Sequence, residues 1–169
     1  MTLKTAVVVG NPKPRSRTHA AATTLARELT GTEPDLVVDL ADVAGGLFDW
    51  NDATVPGLVE QVAGSDLVVV ASPTYKAAYT GLLKAFLDRL PGGGLAGVVA
   101  VPLMLGAGPG HALAVETSLR PVLTELGATV TRGLYVVDAA YDDPAAYSDW
   151  LATARPVVTA LLGTAAAAV

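Results

Sequence analysis

The sequence predicts a doubly wound α/β fold: a five-stranded parallel sheet, strand order 2-1-3-4-5, with helices on both faces. Three features point there. Apolar runs of strand length recur along the chain, three of them are continuous rather than alternating, and stretches with helical spacing lie between them. A βαβαβαβαβα order with right-handed crossovers leads to one parallel sheet, whose ligand crevice lies at the carboxyl ends of strands 1, 3 and 4.

The strands are read at TAVVV (5–9), DLVVDL (35–40), DLVVVA (66–71), GVVAVPLML (97–105) and TRGLYVV (131–137). The first, third and fourth are the continuous runs that suit central strands covered on both faces. A first helix is expected through AAATTLARELT, just after the first strand. In TGLLKAFLDRL (80–90), Leu82, Leu83, Phe86, Leu87 and Leu90 share one face and Thr80 can cap the start. In 111–127, Val115, Leu119, Val122, Leu123 and Leu126 share a face, and Gly127 ends the helix. A last helix is expected over roughly 144–163, with the TAAAAV tail frayed. Two prolines fit this scheme imperfectly. Pro102 falls inside the fourth strand, where its missing N–H calls for a bulge or an early position. Pro121 should cost the fourth helix a bond and bend it near Thr117.

The 169 residues are read as one domain spanning 1–169, with neither internal repeat nor linker. Hydrophobic residues make up 51% of the chain and aromatics 5%, so the apolar content is mostly Ala, Val and Leu, a composition for helices packed on a buried sheet. A net charge of −5 argues against nucleic acid or an anionic membrane surface as a partner. With no cysteine there is no disulfide, thiol catalysis, thiolate zinc site or cysteine-ligated cluster. The first apolar run is too short for a signal peptide, and a cytoplasmic location is expected. Between Leu90 and Val115 no residue is charged, which is long enough to span a bilayer, but seven glycines and three prolines interrupt it. It reads as loop, buried strand, loop and helix start.

Three strand-end loops are the candidate site. GNPKPRSRTH (10–19) runs into a helix N-terminus, where free N–H groups favour an anion. Ser16 and Thr18 offer hydroxyls and Arg17 a phosphate-matching fork. Alternatively Ser16 or Thr18 is only an N-cap and the cations face solvent. The loop lacks both GxGxxG and GxxxxGK[ST], which leaves a monophosphate as the anion. SPTYKAAYTG (72–81) sets backbone amides beside an aromatic, suited to a planar heterocycle, or else places tyrosines against a neighbouring subunit. GAGPGH (106–111) lets backbone approach a ligand closely and presents another helix start, or is a plain connection. His111 is either a ligand donor or an exposed polar residue. Asp39, Asp42, Asp49, Asp142 and Asp143 are acidic but lie on separate loops, and no metal site is expected.

With GNPKPRSRT, ASPTYKAAYTGLLKAFLDRLP and PLMLGAGPGHALAVETSLRPVLTELGA in view, the chain resembles the NAD(P)H-dependent FMN reductases of the flavodoxin-like fold, over the first strand to about residue 137. It is most similar to the reductases that supply reduced flavin to two-component monooxygenases. The resemblance implies hydride transfer from NADPH or NADH to N5 of FMN, with no catalytic side chain because the flavin carries the chemistry. By position, Ser16, Arg17 and Thr18 would bind the FMN phosphate. Pro73, Thr74, Tyr75 and Lys76 would line the isoalloxazine, and Gly106, Ala107 and Gly108 would meet its pyrimidine edge. The resemblance also implies a homodimer or homotetramer and a partner monooxygenase. A tightly FMN-bound quinone, azo or chromate reductase and a flavodoxin-like electron carrier are the alternatives. One departure stands out: some relatives have a tyrosine where this chain has Thr117.

Overall fold

β1 (Thr5–Val9) is buried at every position, as a continuous apolar run requires. The computed structural model describes residues 3–167, with side chains described as far as Gly163. After β1 come α1 (Arg17–Thr30), β2 (Leu36–Asp39), α2 (Thr54–Ala63), β3 (Leu67–Pro73) and α3 (Gly81–Leu87). They are followed by β4 (Val99–Gly106), α4 (Arg120–Glu125), β5 (Thr129–Val130), β6 (Leu134–Val137) and α5 (Ala145–Ala167). The strands are parallel in the order β2-β1-β3-β4-β5, with β6 also on β4, which is the expected flavodoxin-like arrangement. Alternate residues of each central strand serve opposite faces. Ala6, Val8, Val68 and Val70 pack toward α2, α3 and α4. Val7, Val9, Val69 and Val101 pack toward α1 and α5. Each such valine contributes roughly 1.5–3 kcal/mol by leaving water.

Helix boundaries follow their caps. Ser16 accepts from His19 N at 3.2 Å and opens α1, and Gly31, at φ 78°, closes it. Thr80 accepts from Leu83 N at 3.1 Å and opens α3, as its position predicts. α5 extends to Ala167, beyond the expected end at 163; the last two residues of the TAAAAV tail lie outside the described residues.

Two expectations are corrected. The fifth strand is split into β5 and β6, interrupted at 131–133. The cause is Pro102 on the neighbouring strand. Thr129 N and Thr131 N donate to Val98 O and Ala100 O, so even-numbered β4 residues face this edge. Pro102 brings no N–H to it, and the partner strand steps out opposite. Gly133 N donates instead to Glu116 Oε1 at 2.6 Å, while Gly133 O accepts from Trp150 Nε1 at 3.0 Å.

The fourth helix is not one α-helix over 111–127. A 3₁₀ turn at Pro109–His111 is followed by a π-helical segment at Val115–Leu119 and only then by α4. Pro121, in the first turn of α4, cannot donate to the Thr117 carbonyl, so the α-ladder fails where the sequence predicts a disturbance. Thr117 Oγ1 and Ser118 Oγ donate to Leu113 O and Ala114 O at 3.0 and 2.5 Å, serving carbonyls in the widened turns.

The uncharged window from Leu90 to Val115 holds the wholly buried strand β4 between turns. Among the described residues, no helix is long and apolar enough to cross a membrane.

Candidate functional site

The strand register brings the three loops to one sheet edge. Val9 pairs with Ala71, Pro73 with Leu105 and Gly106 with Val137, so strands 1, 3 and 4 end side by side. Two links tie the loops together. Thr80 Oγ1 donates to Gly10 O at 2.5 Å, joining the second loop to the first. Thr74 N donates to Leu105 O at 2.6 Å, joining the second to the third.

The first loop is pre-shaped from within. Asn11 Oδ1 accepts from Lys13 N at 2.9 Å and Asn11 Nδ2 donates to Thr18 Oγ1 at 3.0 Å. Arg15 takes φ 50°, and Asp39 holds it there by accepting from its N–H at 2.9 Å. The Arg15 guanidinium lies 2.6 Å from Asp42 and 3.4 Å from Asp39, and its pKa is raised, first by the hydrogen bond with Asp42. Arg15 is thus committed to the carboxylates. Arg17 is exposed, makes no ion pair among the described residues, and lies over the Tyr141 ring at 5.6 Å.

Ser16, Arg17 and Thr18 are the N-cap and first two residues of α1. His19 N goes to Ser16 Oγ and Ala20 N to Ser16 O, so the N–H groups of Arg17 and Thr18 are the ones left over. Ser16 Oγ accepts from His19 and keeps its proton to donate. Ser16 is therefore the helix cap and still has a donor to offer. Thr18 is buried and its hydroxyl accepts from Asn11, so it too keeps a proton, beside its backbone N–H.

The second loop is a two-residue hairpin. Tyr75 and Ala78 exchange hydrogen bonds of 2.9 and 3.1 Å, and Lys76 and Ala77 turn between them at φ 50° and 64°. This is the mirror-image turn that glycine and asparagine favour, adopted here by neither. Pro73 is buried within β3, Tyr75 is 51% exposed, and Lys76 is at the exposed tip. The Thr74 and Tyr75 amides are consumed internally, so the broad row of exposed amides expected there is reduced to the tip. Thr74 Oγ1 is buried and has no hydrogen-bond partner among the described residues.

In the third loop Gly106 is buried and Ala107 exposed. Gly106 is required by its surroundings: a Cβ there would overlap the Tyr135 hydroxyl and lie 3.3 Å from Thr74 Oγ1. Tyr135 donates to Gly108 O at 2.8 Å. The helix start expected at this loop is replaced by the short 3₁₀ turn, on which His111 is exposed. A helix dipole is therefore not available here, and the loop's own amides are the donors.

These residues fit FMN. A phosphomonoester needs clustered donors, which the Ser16–Thr18 segment has, with a cation in Arg17. A heterocycle with polar edges suits an orphaned buried hydroxyl at Thr74 beside the exposed backbone at Ala107. Sequence reasoning missed Asn11, Asp39, Tyr135 and Tyr141. Only Asn11 carried a local signal, as a turn-forming side chain two residues before Lys13.

The sequence profile of the family described as NADPH-dependent FMN reductase matches residues 3–142. The FMN reductase (NADPH) of Escherichia coli K12 is 44% identical over 81 residues, which is 47% of this chain and 42% of that protein. The chain thus spans less than half of that relative. The NADH-dependent FMN reductase SfnF of Pseudomonas putida is 30% identical over 149 residues, covering 83% of this chain and 80% of that one. The crystal structure of apo NADH:FMN oxidoreductase (EMOB) superposes with a TM-score of 0.83 at 31% identity, covering 96% of this chain and 90% of that one. The fold and the span of the profile agree, and the chain belongs to the NADPH-dependent FMN reductase family.

Proposed function

We infer that this protein is an NAD(P)H-dependent FMN reductase. The observation that carries the reading is the junction of two unlike binding features across the Thr80–Gly10 link. On one side is a helix start with spare N–H groups and an exposed arginine, and on the other a buried, unpartnered hydroxyl next to Gly106.

Ser16 Oγ, the Arg17 and Thr18 amides and the Arg17 guanidinium hold the phosphate. Pro73, Thr74, Tyr75 and Lys76 line the isoalloxazine, with Thr74 Oγ1 supplying a polar contact. Gly106, Ala107 and Gly108 meet the pyrimidine edge with backbone. When bound, FMN supplies the hydride-accepting N5 and carries the redox chemistry. The chain orients the two nucleotides at near-attack distance, keeps water from the reacting face, and presents amides where charge develops. No acid–base side chain is assigned. A partner monooxygenase that consumes the reduced flavin, and association as a homodimer or homotetramer, belong to the same reading.

Steady-state oxidation of NADPH and NADH with FMN, FAD and riboflavin as competing acceptors tests it. Turnover with FMN preferred over riboflavin is expected. Absence of nicotinamide oxidation with any flavin would remove the reductase reading. Flavin retained through dialysis would instead favour the tightly bound alternative.

A further inference from the structure

Tyr135 lies outside the three loops, in β6, yet it touches Gly106 and Gly108 of the third. Its hydroxyl donates to Gly108 O at 2.8 Å and occupies the space that a Cβ on Gly106 would need. The buried, unpartnered Thr74 Oγ1 borders that same space, 3.3 Å from the would-be Cβ. Among the described residues, Tyr135 is the one side chain that donates to the Gly108 carbonyl.

We propose that Tyr135 is a positioning residue that keeps the Gly108 carbonyl turned onto its own hydroxyl, and thereby raises the protein's affinity for reduced FMN relative to oxidised FMN. This rests on the flavin reading, which lays the pyrimidine edge against 106–108. Pro109 follows Gly108, so the peptide joining them has a carbonyl but no N–H. Rotating that peptide cannot offer a donor; it changes only where the negative end of a dipole points. Reduced flavin gains negative charge along its N1 and C2=O edge. A free carbonyl near that edge opposes reduction, more so in a site shielded from water. Committing the carbonyl to a phenol removes the opposition at no cost in buried, unpaired groups.

Tyr135→Phe keeps the ring and removes the donor. Dissociation constants for oxidised FMN and for dithionite-reduced FMN, measured anaerobically, decide the matter. Oxidised FMN should change by no more than about twofold and reduced FMN should weaken about fivefold. That ratio places the two-electron midpoint of bound FMN ~20 mV lower. Equal weakening of both forms would make Tyr135 a structural support only, and no change in either would leave the hydroxyl without a role; both overturn the proposal. If the wild-type protein binds neither form, the flavin reading itself falls and takes this proposal with it.

A second comparison tests the contact directly. Gly106→Ala should weaken FMN by about tenfold or more, since a Cβ overlapping a packed hydroxyl costs on the order of an overpacked core position. Gly106→Ala with Tyr135→Phe should recover part of that loss, because the overlapping atom is gone. A double variant no tighter than Gly106→Ala overturns the geometry on which the proposal stands.

Discussion

Thr80 and Gly10 are 70 residues apart and joined by a 2.5 Å hydrogen bond from Thr80 Oγ1 to Gly10 O. The same oxygen accepts from Leu83 N at 3.1 Å, so one hydroxyl both caps α3 and holds the end of the β1 loop. Gly10 admits this closeness, because a Cβ on it would lie 2.5 Å from Leu83 Cβ. Ser72 completes the arrangement by accepting from Thr80 N at 3.0 Å. The helix start after strand 3 and the phosphate-type loop after strand 1 are therefore one unit.

Thr80→Val keeps the volume and removes both hydrogen bonds. Loss of the cap together with an unpaired buried carbonyl should destabilise the protein by about 1.5–3 kcal/mol. Thr80→Ser should retain most of the stability. Urea denaturation of the three proteins measures this, and a Val variant as stable as the Ser variant would mean that the link contributes nothing.

Ala77→Gly should stabilise the fold. Ala77 sits at φ 64° in the hairpin tip, a conformation costing a residue with a Cβ about 1–2 kcal/mol. Glycine removes that strain but adds unfolded-state entropy, for a net gain of about 0.5–1 kcal/mol. The thermal midpoint should rise by a few degrees, and a lowered midpoint would show that the turn carries no strain.

Stability should fall in alkali because of Tyr147. Burial, and then the charge of Asp142, push its phenol up to about 12, and its hydroxyl donates to Tyr141 O. An unfolded phenol titrates near 10, so the folded state resists ionisation. The stabilisation is complete below about pH 10 and is lost as pH rises through about 12, on the order of 2 kcal/mol in all. Urea midpoints at about pH 8 and pH 11 should differ for the wild-type protein and differ less for Tyr147→Phe.

Much of this architecture was legible because its causes are local. Continuous valine runs place β1, β3 and β4, and side-chain caps place the starts of α1 and α3. The rest depends on partners remote in sequence. The break at 131–133 answers to Pro102 on another strand. The disturbance near Thr117 was legible from Pro121, but Glu116 reaching Gly133 was not. The three loops could be assigned to one edge from topology alone. Inside them, Arg15 looked like one more cation, and only the fold shows it spent on Asp39 and Asp42. The Lys76–Ala77 turn lacks the glycine that would have announced it. Tyr135 reads as a strand aromatic, because nothing in YVV reveals a hydroxyl reaching Gly108.

We propose that the phosphate end of FMN sits at the start of α1. Among the described residues Arg17 makes no ion pair, and it rests over Tyr141, so its guanidinium is available to a phosphate without breaking a salt bridge to any of them. The most direct measurement compares FMN with riboflavin, which lacks the phosphate, in binding to the wild-type protein and to Arg17→Ala. Arg17→Ala should weaken FMN by about 1.5–3 kcal/mol and leave riboflavin nearly unchanged. Equal weakening of the two flavins, or none for either, would contradict it.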